Sequence, residues 1–358
     1  FDLDQTLGNI FARLDWHLGK GKRITLRNVF AYARNDESPN RAPFDPYEFS
    51  SNGITRTSAS NTASIQFFSD LGSRGGNEFS LSFSRTRDQS DPAGEFPQVE
   101  AALKSPAQAL TDTRPVRIGA QFFAQQNDLT QTSVRLSNTV TLARGKSTWT
   151  MGLVGSWLGI QHEYLPGALG EWYFPSWIDI LNNAPQRYQR SVLLEGNSPG
   201  ISFNILEAGG YLQNQIELGR GLTVRVGVRV DAPFTLDQPE ENERVRSFFN
   251  RSTSDLPSGM VLFSPRLGFN WQTGGNLKTQ LRGGIGIFTG QLPYVWLSNA
   301  FHNNGLRSVT QVCYGRRTSD PLEGNTSPPF NPTTPPEGCQ AGVPTPGRAV
   351  TIFDGGCV

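Results

Sequence analysis

Hydrophobic and polar residues alternate with a period of two along much of the chain. In residues 222–231 one parity is apolar and the other polar, with Leu222, Val224, Val226, Val228 and Val230 set against Thr223, Arg225, Gly227, Arg229 and Asp231. Alternation over nine or ten residues predicts a β-strand. Residues 212–218 alternate in the same way, and Gly219-Arg220-Gly221 supplies a tight turn between the two segments. The pattern therefore predicts a hairpin whose arms are near the length that spans a bilayer.

Four more hairpins follow from the same reasoning. Alternating segments flank four further Gly-containing turns, at residues 19–22, 72–76, 144–146 and 273–276. The chain is therefore expected to contain five hairpins, or about ten antiparallel strands.

The connections between hairpins are long, at about residues 35–57, 87–130, 158–207 and 231–262, and from about 290 onward. Short turns at one end and long loops at the other are typical of an outer-membrane barrel, with the loops outside the cell. Residues 116–124 also alternate, but an eleventh spanning strand would put the loop after Trp157 on the periplasmic side. We therefore predict that residues 116–124 lie in an extracellular excursion. A short helix is expected after Ser176, which can cap it with Asp179 in the capping box.

The polar parity of the strands has two interpretations. In a membrane barrel these side chains line a wet lumen, and in a soluble sandwich they face solvent; periodicity alone does not separate the two. A strand survives in hydrocarbon only when all its backbone groups are paired in a closed barrel. The candidate lumen residues are Arg13, Asp15, Arg27, Arg135, Arg225, Arg229, Lys278 and Arg282.

Several segments resemble a known family. They are SVRLSNTVTLARGKSTWTMGLVGSW (133–157), GGYLQNQIELGRGLTVRVGVRVDAPF (209–234), FSPRLGFNWQ (263–272) and KTQLRGGIGIFTGQLPYVWLSNAF (278–301). These resemble the barrel of TonB-dependent receptors, and among them the Oar-like type. The likeness covers about residues 10–305.

The resemblance implies a barrel of 22 strands in the bacterial outer membrane, filled by an N-terminal plug. It also implies uptake driven by a TonB-type inner-membrane complex that pulls on the plug. The present sequence contains no plug, no energy-coupling box and no terminal aromatic strand. We therefore expect residues 1–290 to supply about ten strands, with the plug and the remaining strands coming from sequence beyond this chain, which reads as an internal piece. Residues 291–358 are expected to form an extracellular loop region rich in Pro, Gly and Cys, in which the sequence breaks off.

Composition narrows the functional class. The 32 Lys and Arg residues nearly balance 31 Asp and Glu residues, which argues against binding of nucleic acid. Aromatic residues reach 11%, a share that a disordered chain would not carry. No apolar run approaches the roughly 18 residues of a membrane-spanning helix. An outer-membrane strand protein remains compatible with these values.

The sequence offers no catalytic constellation. Its three histidines, His17, His162 and His302, have no metal-binding spacing, and neither a GxSxG elbow nor a Cys/His pair is present. We expect no enzyme activity, metal or cofactor. The three cysteines lie in the Pro/Gly-rich tail, where Cys313 and Cys339 are the expected disulfide pair of an oxidising loop and Cys357 is left over.

Two aromatic clusters are candidates for ligand contact. They comprise Trp172, Tyr173 and Trp177 in one loop, and Tyr294 and Trp296 in another. The functional interpretation is a stacking surface at the extracellular mouth for a sugar or peptide. The competing interpretation, which we favour, is loop packing or an interfacial girdle.

The expected function is ligand binding and energy-coupled uptake at the outer membrane, with membrane lipid, the plug and the TonB-type complex as partners and the ligand unspecified. Two alternatives remain open. One is a surface scaffold or adhesion protein that uses the barrel as an anchor, and the other is a soluble β-rich binding module.

Overall fold

Ten long strands form one antiparallel sheet in the computed structural model, which describes residues 3–37, 39, 45–102, 115–272, 274, 279–315 and 326–340. The strands are β1 (Gln5–Gly19), β2 (Lys22–Glu37), β4 (Ile54–Asp70), β5 (Gly75–Pro92), β8 (Asn127–Arg144), β9 (Ser147–Tyr164), β12 (Gly200–Gly219), β13 (Leu222–Thr235), β14 (Leu262–Gln272) and β15 (Gln280–Gly286). Their order in the sheet is β1-β2-β4-β5-β8-β9-β12-β13-β14-β15. Strands that are neighbours in the sheet therefore also follow one another along the chain, apart from short strands inserted in the loops. The predicted ten strands and five hairpins are thus confirmed.

The turns at one end of the sheet are tight, as their glycines predicted. In the β1–β2 turn Lys20 has a φ of 51° and Gly21 a φ of 69°, in the left-handed region that glycine enters without steric cost. A Cβ atom on Gly21 would also lie 1.9 Å from the Asp70 carboxylate of the neighbouring hairpin. Glycine is therefore required at this position both by conformation and by the close approach of the next turn.

The strands extend farther toward the loop end than the sequence predicted. Alternation suggested that β5 stops near residue 87 and that β8 begins near residue 130, whereas pairing runs to Gln89↔Asp128. The strands of the first six positions are 15–18 residues long, well beyond the roughly 9–11 residues that a bilayer needs. Beyond the apolar stretch, the residues on both faces of a strand are polar. Alternation therefore no longer marks the strand in the sequence, although the backbone hydrogen bonds between strands continue.

One face of the ten-stranded sheet is apolar and solvent-accessible. Leu153 is 69% exposed and Trp16 is 64% exposed. Directly paired residues form a continuous apolar row across eight strands: Leu14, Leu26, Ile65, Leu81, Leu136, Gly155, Ala208 and Ala232. The alternate residues form the polar face. A soluble sheet would bury such an apolar row against another layer.

Aromatic side chains bound this apolar face on two sides. On β9, Trp149 and Trp157 are eight residues apart, and on β14 Phe263 and Trp271 have the same spacing. Eight residues of strand span about 26 Å. With the strand tilt of about 40° that is typical of outer-membrane barrels, this length corresponds to about 20 Å along the membrane normal, comparable to their apolar band of about 25 Å between aromatic girdles. We call Tyr32, Phe83, Trp157, Phe234 and Phe263 the upper girdle, on the loop side.

Four loops contribute a second sheet at the loop end, which we call the loop sheet. Its order is β16-β11-β10-β6-β7-β3. The strands are β3 (Tyr47–Glu48), β6 (Gln98–Ala102), β7 (Pro115–Ile118), β10 (Glu171–Phe174), β11 (Arg187–Leu193) and β16 (Ser308–Tyr314). Because β7 belongs to this sheet, the prediction that residues 116–124 form an excursion and not a spanning strand is confirmed.

Three short helices complete the described structure: α1 (Trp177–Leu181), α2 (Glu243–Phe249) and α3 (Ser298–His302). The predicted cap of α1 is present, since the Ser176 hydroxyl oxygen accepts a hydrogen bond from the Asp179 backbone N–H at 3.3 Å. Among the described residues, no helix combines the length and the apolar character needed to cross a bilayer.

The loop sheet has its own apolar core. Trp172, Tyr188 and Cys313 are fully buried, and Phe330 packs against them from the segment 326–340. The Trp172 indole N–H donates to the Pro328 carbonyl at 3.0 Å. The Cys313–Cys339 disulfide joins β16 to this segment, as the sequence predicted. The loop sheet is therefore a packed substructure and not a set of independent loops.

Candidate functional site

The polar face of the ten-stranded sheet contains a continuous row of polar side chains. Direct strand pairing aligns seven of them, namely Arg13, Arg27, Ser64, Ser82, Arg135, Ser156 and Glu207. This row lies one residue from the apolar row, so the two faces have opposite character at the same height. The arrangement fits a wall with lipid on one side and water on the other.

All the described lumen candidates share this polar face. Besides Arg13, Arg27 and Arg135, these are Asp15, Arg225, Arg229 and Arg282. Lys278 lies outside the described residues. The structure therefore places the predicted side chains on one surface, on five of the ten strands, and does not gather them at one point.

Local hydrogen bonds hold several of these charges. The Arg13 guanidinium donates to both Asp15 carboxylate oxygens, at 2.6 and 3.0 Å, and the Thr25 hydroxyl donates to Asp15 at 2.6 Å. The pair Arg229–Asp231 repeats the pattern near the other end of the sheet, at 2.7 and 2.6 Å. Each carboxylate lies two residues from its arginine on the same strand and the same face. The ion pairs therefore run along the strands, and the inner surface of the sheet stays polar.

An aromatic ring spans part of this wall. Tyr211 on β12 lies over Gly152 of β9, where a Cβ atom would be 2.5 Å from the ring. Its hydroxyl reaches Thr139 Oγ1 on β8, one strand farther, at 2.7 Å. A larger residue at position 152 would displace the ring, so this glycine is explained by close packing.

Near the loop end the chain after β15 folds back onto the polar face. We call residues 291–302 the folded-back segment. Tyr294 and Phe301 of this segment are buried against Ile160, Phe203 and Ile205 of the sheet. The rings of Phe203 and Phe301 stack with centroids 4.7 Å apart. The upper part of the polar face is thus apolar, and the folded-back segment covers it.

Glu207 anchors the lower end of the folded-back segment. Its carboxylate accepts hydrogen bonds from the Tyr294 hydroxyl at 2.6 Å, from the Gln291 amide at 3.2 Å and from the Ser156 hydroxyl at 2.9 Å. Burial, and then the hydrogen bond to Glu207, raises the pKa of Tyr294, so this phenol stays protonated and donates. Glu207 therefore ties the returning chain to two strands of the wall.

Two histidines fix the upper end. His302 Nε2 donates to the His162 carbonyl oxygen at 3.1 Å, and the His162 Nδ1 lies 3.0 Å from the Ser298 hydroxyl. Burial lowers the pKa of His302 to about 4; the hydrogen bond to the His162 backbone opposes this shift, and the charges of the His162 ring and Arg307 add to it. His302 is therefore neutral in this docked position at neutral pH.

The aromatic candidates for ligand contact separate into buried and exposed groups. Trp172 is fully buried in the loop-sheet core and Tyr294 is 6% exposed, so neither ring offers surface to a ligand in this structure. Trp177 is 54% exposed and Trp296 is 72% exposed. Tyr173 is half-buried, with the Arg187 guanidinium 5.7 Å from its ring centroid. Exposed aromatic surface is therefore present at the mouth on Trp177, Tyr173 and Trp296.

The loop sheet also buries a carboxylate. Glu171 accepts hydrogen bonds from the Gln98 and Gln189 amides, each at 2.5 Å, and from Arg187 at 3.2 Å. Burial raises the pKa of Glu171, while the positive charge of Arg187 opposes this shift. All three hydrogen bonds come from the neighbouring strands β6 and β11, so the carboxylate links strands of the loop sheet.

Sequence reasoning missed Glu207, Gln291 and the histidine pair. Glu207 falls where a polar residue in an alternating strand is ordinary, and His162 and His302 are 140 residues apart along the chain. The signal that could have identified the site was the apolar run on the polar parity of β9 and β12, including Ile160 and Phe203. Apolar residues on the water-facing side of β9 and β12 indicate that another segment of the chain covers them.

The described residues contain no group of three or more His, Cys, Asp or Glu side chains placed to hold a metal ion. The polar face can bind and orient a solute through arginine, carboxylate and hydroxyl groups.

Comparison with known proteins supports a membrane location. Residues 3–355 match the family model described as "Outer membrane beta barrel domain". No curated protein matches the chain.

Three solved structures resemble the chain in fold. The outer membrane transporter YddB from Escherichia coli aligns with a TM-score of 0.45 and 10% identity, over 75% of this chain and 30% of that chain. The ferric-catecholate import receptor Fiu of E. coli aligns in its closed form with a TM-score of 0.43 and 10% identity, over 75% of this chain and 41% of that chain. Its open form aligns with a TM-score of 0.38 and 9% identity, over 88% and 45%. The present chain spans less than half the length of each of these proteins.

Proposed function

Because the chain belongs to the outer membrane beta barrel domain family, we propose that it forms part of the wall and mouth of a receptor for energy-coupled ligand uptake. The protein lies in the bacterial outer membrane, with the apolar face of the ten-stranded sheet toward lipid. The finer assignment to TonB-dependent receptors of the Oar-like type is part of this proposal and is supported by the resemblance of residues 133–157, 209–234 and 263–301. The complete barrel of 22 strands, the plug and the TonB-type complex belong to the same proposal.

The proposal is carried by the continuous polar row on the inner face, from Arg13 to Glu207. Among the described residues the end strands β1 and β15 do not pair with each other, so the ten strands form an open arc. An open arc with a water-facing inner surface supports a barrel of more than ten strands, wide enough to hold a plug. The folded-back segment narrows the mouth above this row. Ligand would pass over Trp296, which is exposed beside the covered surface. We further propose that the protein carries out no covalent chemistry.

Binding to the energy-transducing complex tests this function. The full-length protein, purified in detergent, is passed over the immobilised periplasmic domain of the TonB-type protein from the same bacterium. We expect saturable binding, and no binding by a porin purified in the same way. Absence of binding, with the barrel shown to be folded by heat-dependent mobility on gels, would contradict energy-coupled uptake.

The loop sheet favours a second candidate. Its buried core and its disulfide make a rigid structure outside the membrane, as a surface scaffold or adhesion protein anchored by a barrel would need. Planar-bilayer recording separates the two functions. A plugged receptor is expected to show little conductance until urea unfolds the plug, whereas a scaffold barrel without a removable plug would show no urea-dependent opening.

A further inference from the structure

Three arginines lie together on the outer face of the sheet, just above the upper girdle. Arg85 and Arg87 follow Phe83 on β5, and Arg34 follows Tyr32 on β2, all on the parity of the lipid-facing residues. All three side chains are exposed. Because the upper girdle marks the boundary of the acyl-chain region, these arginines lie at the level of the lipid head groups.

Strand pairing sets the distances within this arginine cluster. Arg34 pairs with Thr57, which pairs with Gln89, two residues beyond Arg87. With strand spacing of about 4.8 Å and a rise of about 3.3 Å per residue, the Cα atoms of Arg34 and Arg87 are roughly 12 Å apart. Guanidinium groups on side chains of this length can converge on one phosphate from both sides.

The arginines are incompletely neutralised. Arg87 forms an ion pair with Asp128, whereas Arg34 and Arg85 have no carboxylate within ion-pair distance among the described residues. On the same face, strand pairing places Asp128 and Glu163 level with Arg34, and Asp36 and Asp91 one same-face position farther from the apolar belt. Arg85 and Arg87 therefore lie nearer to the acyl chains than any of these carboxylates, in the layer where lipid phosphates are located.

A groove runs through the apolar belt below the cluster. It has a volume of about 480 Å³, and its walls include Leu14, Leu26, Ile65, Leu81 and Phe83. The small residues Ala12 and Ala63 form its floor together with Asn28, whose amide is hydrogen-bonded to Asn61 at 3.2 Å. The Asn61 amide N–H donates in turn to the Asn28 amide oxygen at 3.4 Å, so both polar groups of Asn28 are paired. The groove therefore offers an apolar channel for an acyl chain.

We propose that this surface binds a phosphate-bearing lipid of the outer leaflet, with its phosphate on Arg34, Arg85 and Arg87 and an acyl chain in the groove. Charge complementarity selects the anionic head group, and arginine forms bidentate hydrogen bonds with phosphate. The corresponding outer surface above Trp157 lacks this cluster, since β9 carries Gln161 and Glu163 there. The site is therefore a local feature of β2 to β5 and not a property of the whole belt.

Native mass spectrometry of the full-length protein in detergent tests the head-group contact. The probe is phosphatidic acid, compared with phosphatidylcholine that has the same acyl chains. We expect preferential retention of phosphatidic acid and about a tenfold weaker apparent affinity in the double variant Arg34→Gln with Arg85→Gln. The matched control, Arg135→Gln with Arg225→Gln, makes the same charge change on the polar face and is expected to leave binding unchanged.

A second pair of variants tests the groove. Ala63→Phe fills its floor and is expected to weaken phosphatidic acid binding several-fold, whereas Ala208→Phe places the same ring on the lipid face of β12 and leaves binding unchanged. Heat-dependent mobility on gels verifies that each variant is folded. Equal binding by the wild type and the Arg34/Arg85 variant would overturn the proposal, as would equal losses in both arginine double variants. Competition by inorganic phosphate at concentrations equal to the lipid, or full binding by Ala63→Phe, would show an anion site without an acyl-chain contact.

Discussion

The ten-stranded sheet and the loop sheet use the same alternation of apolar and polar residues for opposite surroundings. In the ten-stranded sheet, Leu153 and Trp16 stand on an exposed face. In the loop sheet, Trp172 and Tyr188 are fully buried beneath the segment 326–340. The hydrophobic effect drives burial only where water is the alternative, so lipid replaces the missing second layer in one sheet and a covering segment supplies it in the other.

This difference shows which contacts hold each region. The ten-stranded sheet depends on an unbroken backbone ladder and on the absence of charge from the apolar belt of its outer face. The loop sheet has short strands of two to seven residues, which form few backbone hydrogen bonds. Its stability therefore depends on side-chain packing and on the Cys313–Cys339 disulfide.

Removal of the central loop-sheet ring is expected to have the largest effect. Trp172→Ala leaves a cavity beside Tyr188 and Phe330 and removes the hydrogen bond to Pro328, at a cost of about 3–5 kcal/mol. Proteolysis of the loops should accelerate while the barrel keeps its heat-dependent mobility on gels. Trp296→Ala, at a side chain that is 72% exposed, serves as control and should leave loop proteolysis unchanged.

Loss of the disulfide should have the next largest effect. Cys313 and Cys339 are 26 residues apart. Chain-entropy reasoning gives roughly 3–4 kcal/mol for a loop of this length. Reduction, or Cys339→Ser, should increase hydrogen exchange in β16 and β11 as measured by mass spectrometry. Exchange in β4 and β5 should stay constant, and an increase there would show that the two sheets are not independent.

A charge on the lipid face tests the other side of the contrast. Leu153 lies midway between Trp149 and Trp157, at the centre of the apolar belt. Leu153→Arg should destabilise the barrel by about 2–4 kcal/mol in urea titrations of protein folded into vesicles. Val154→Arg places the same charge on the adjacent inner position and should cost clearly less. Equal costs would contradict the assignment of the two faces.

The folded-back segment lies between the two regions, and its docking can be tested by removing a single hydrogen bond. Tyr294→Phe removes the hydroxyl that donates to Glu207 and keeps the buried ring. We expect the docking of residues 291–302 to weaken by about 1–2 kcal/mol. Faster hydrogen exchange in α3, with β9 and β12 unaffected, is the expected signature. No change in exchange would show that the apolar contacts of Phe301 suffice.

The docking of the same segment is also expected to depend on pH. The pKa of docked His302 is about 4, whereas an undocked histidine titrates near its ordinary value of about 6.5. The undocked state therefore binds more protons between these values, and docking weakens as the pH falls from about 6.5 toward 4. Exchange in residues 294–302 should rise over this range. His302→Gln should abolish the pH dependence, and its persistence would assign the effect to His162 or another group.

Sequence patterns were most informative where one physical rule acts along the chain. Period-two alternation with Gly-rich turns located all five hairpins, since each strand must present one face to lipid and one to water. The helix cap at Ser176 and the disulfide partners also followed from local rules. Strand ends beyond the upper girdle were underestimated, because both faces of strands such as β5 and β8 are hydrated there and alternation carries no information.

Alternation and turn chemistry between neighbours in the chain were enough to establish the ten strands, the five hairpins and the polar face of the lumen arginines. The burial of Trp172, the hydrogen bond from Tyr294 to Glu207 and the approach of Arg34 to Arg85 and Arg87 became visible only in the folded structure. These contacts bring together residues from separate strands and loops, where many partners have suitable chemistry. Their choice depends on the register of the sheet and on the path of the loops, which no local pattern encodes.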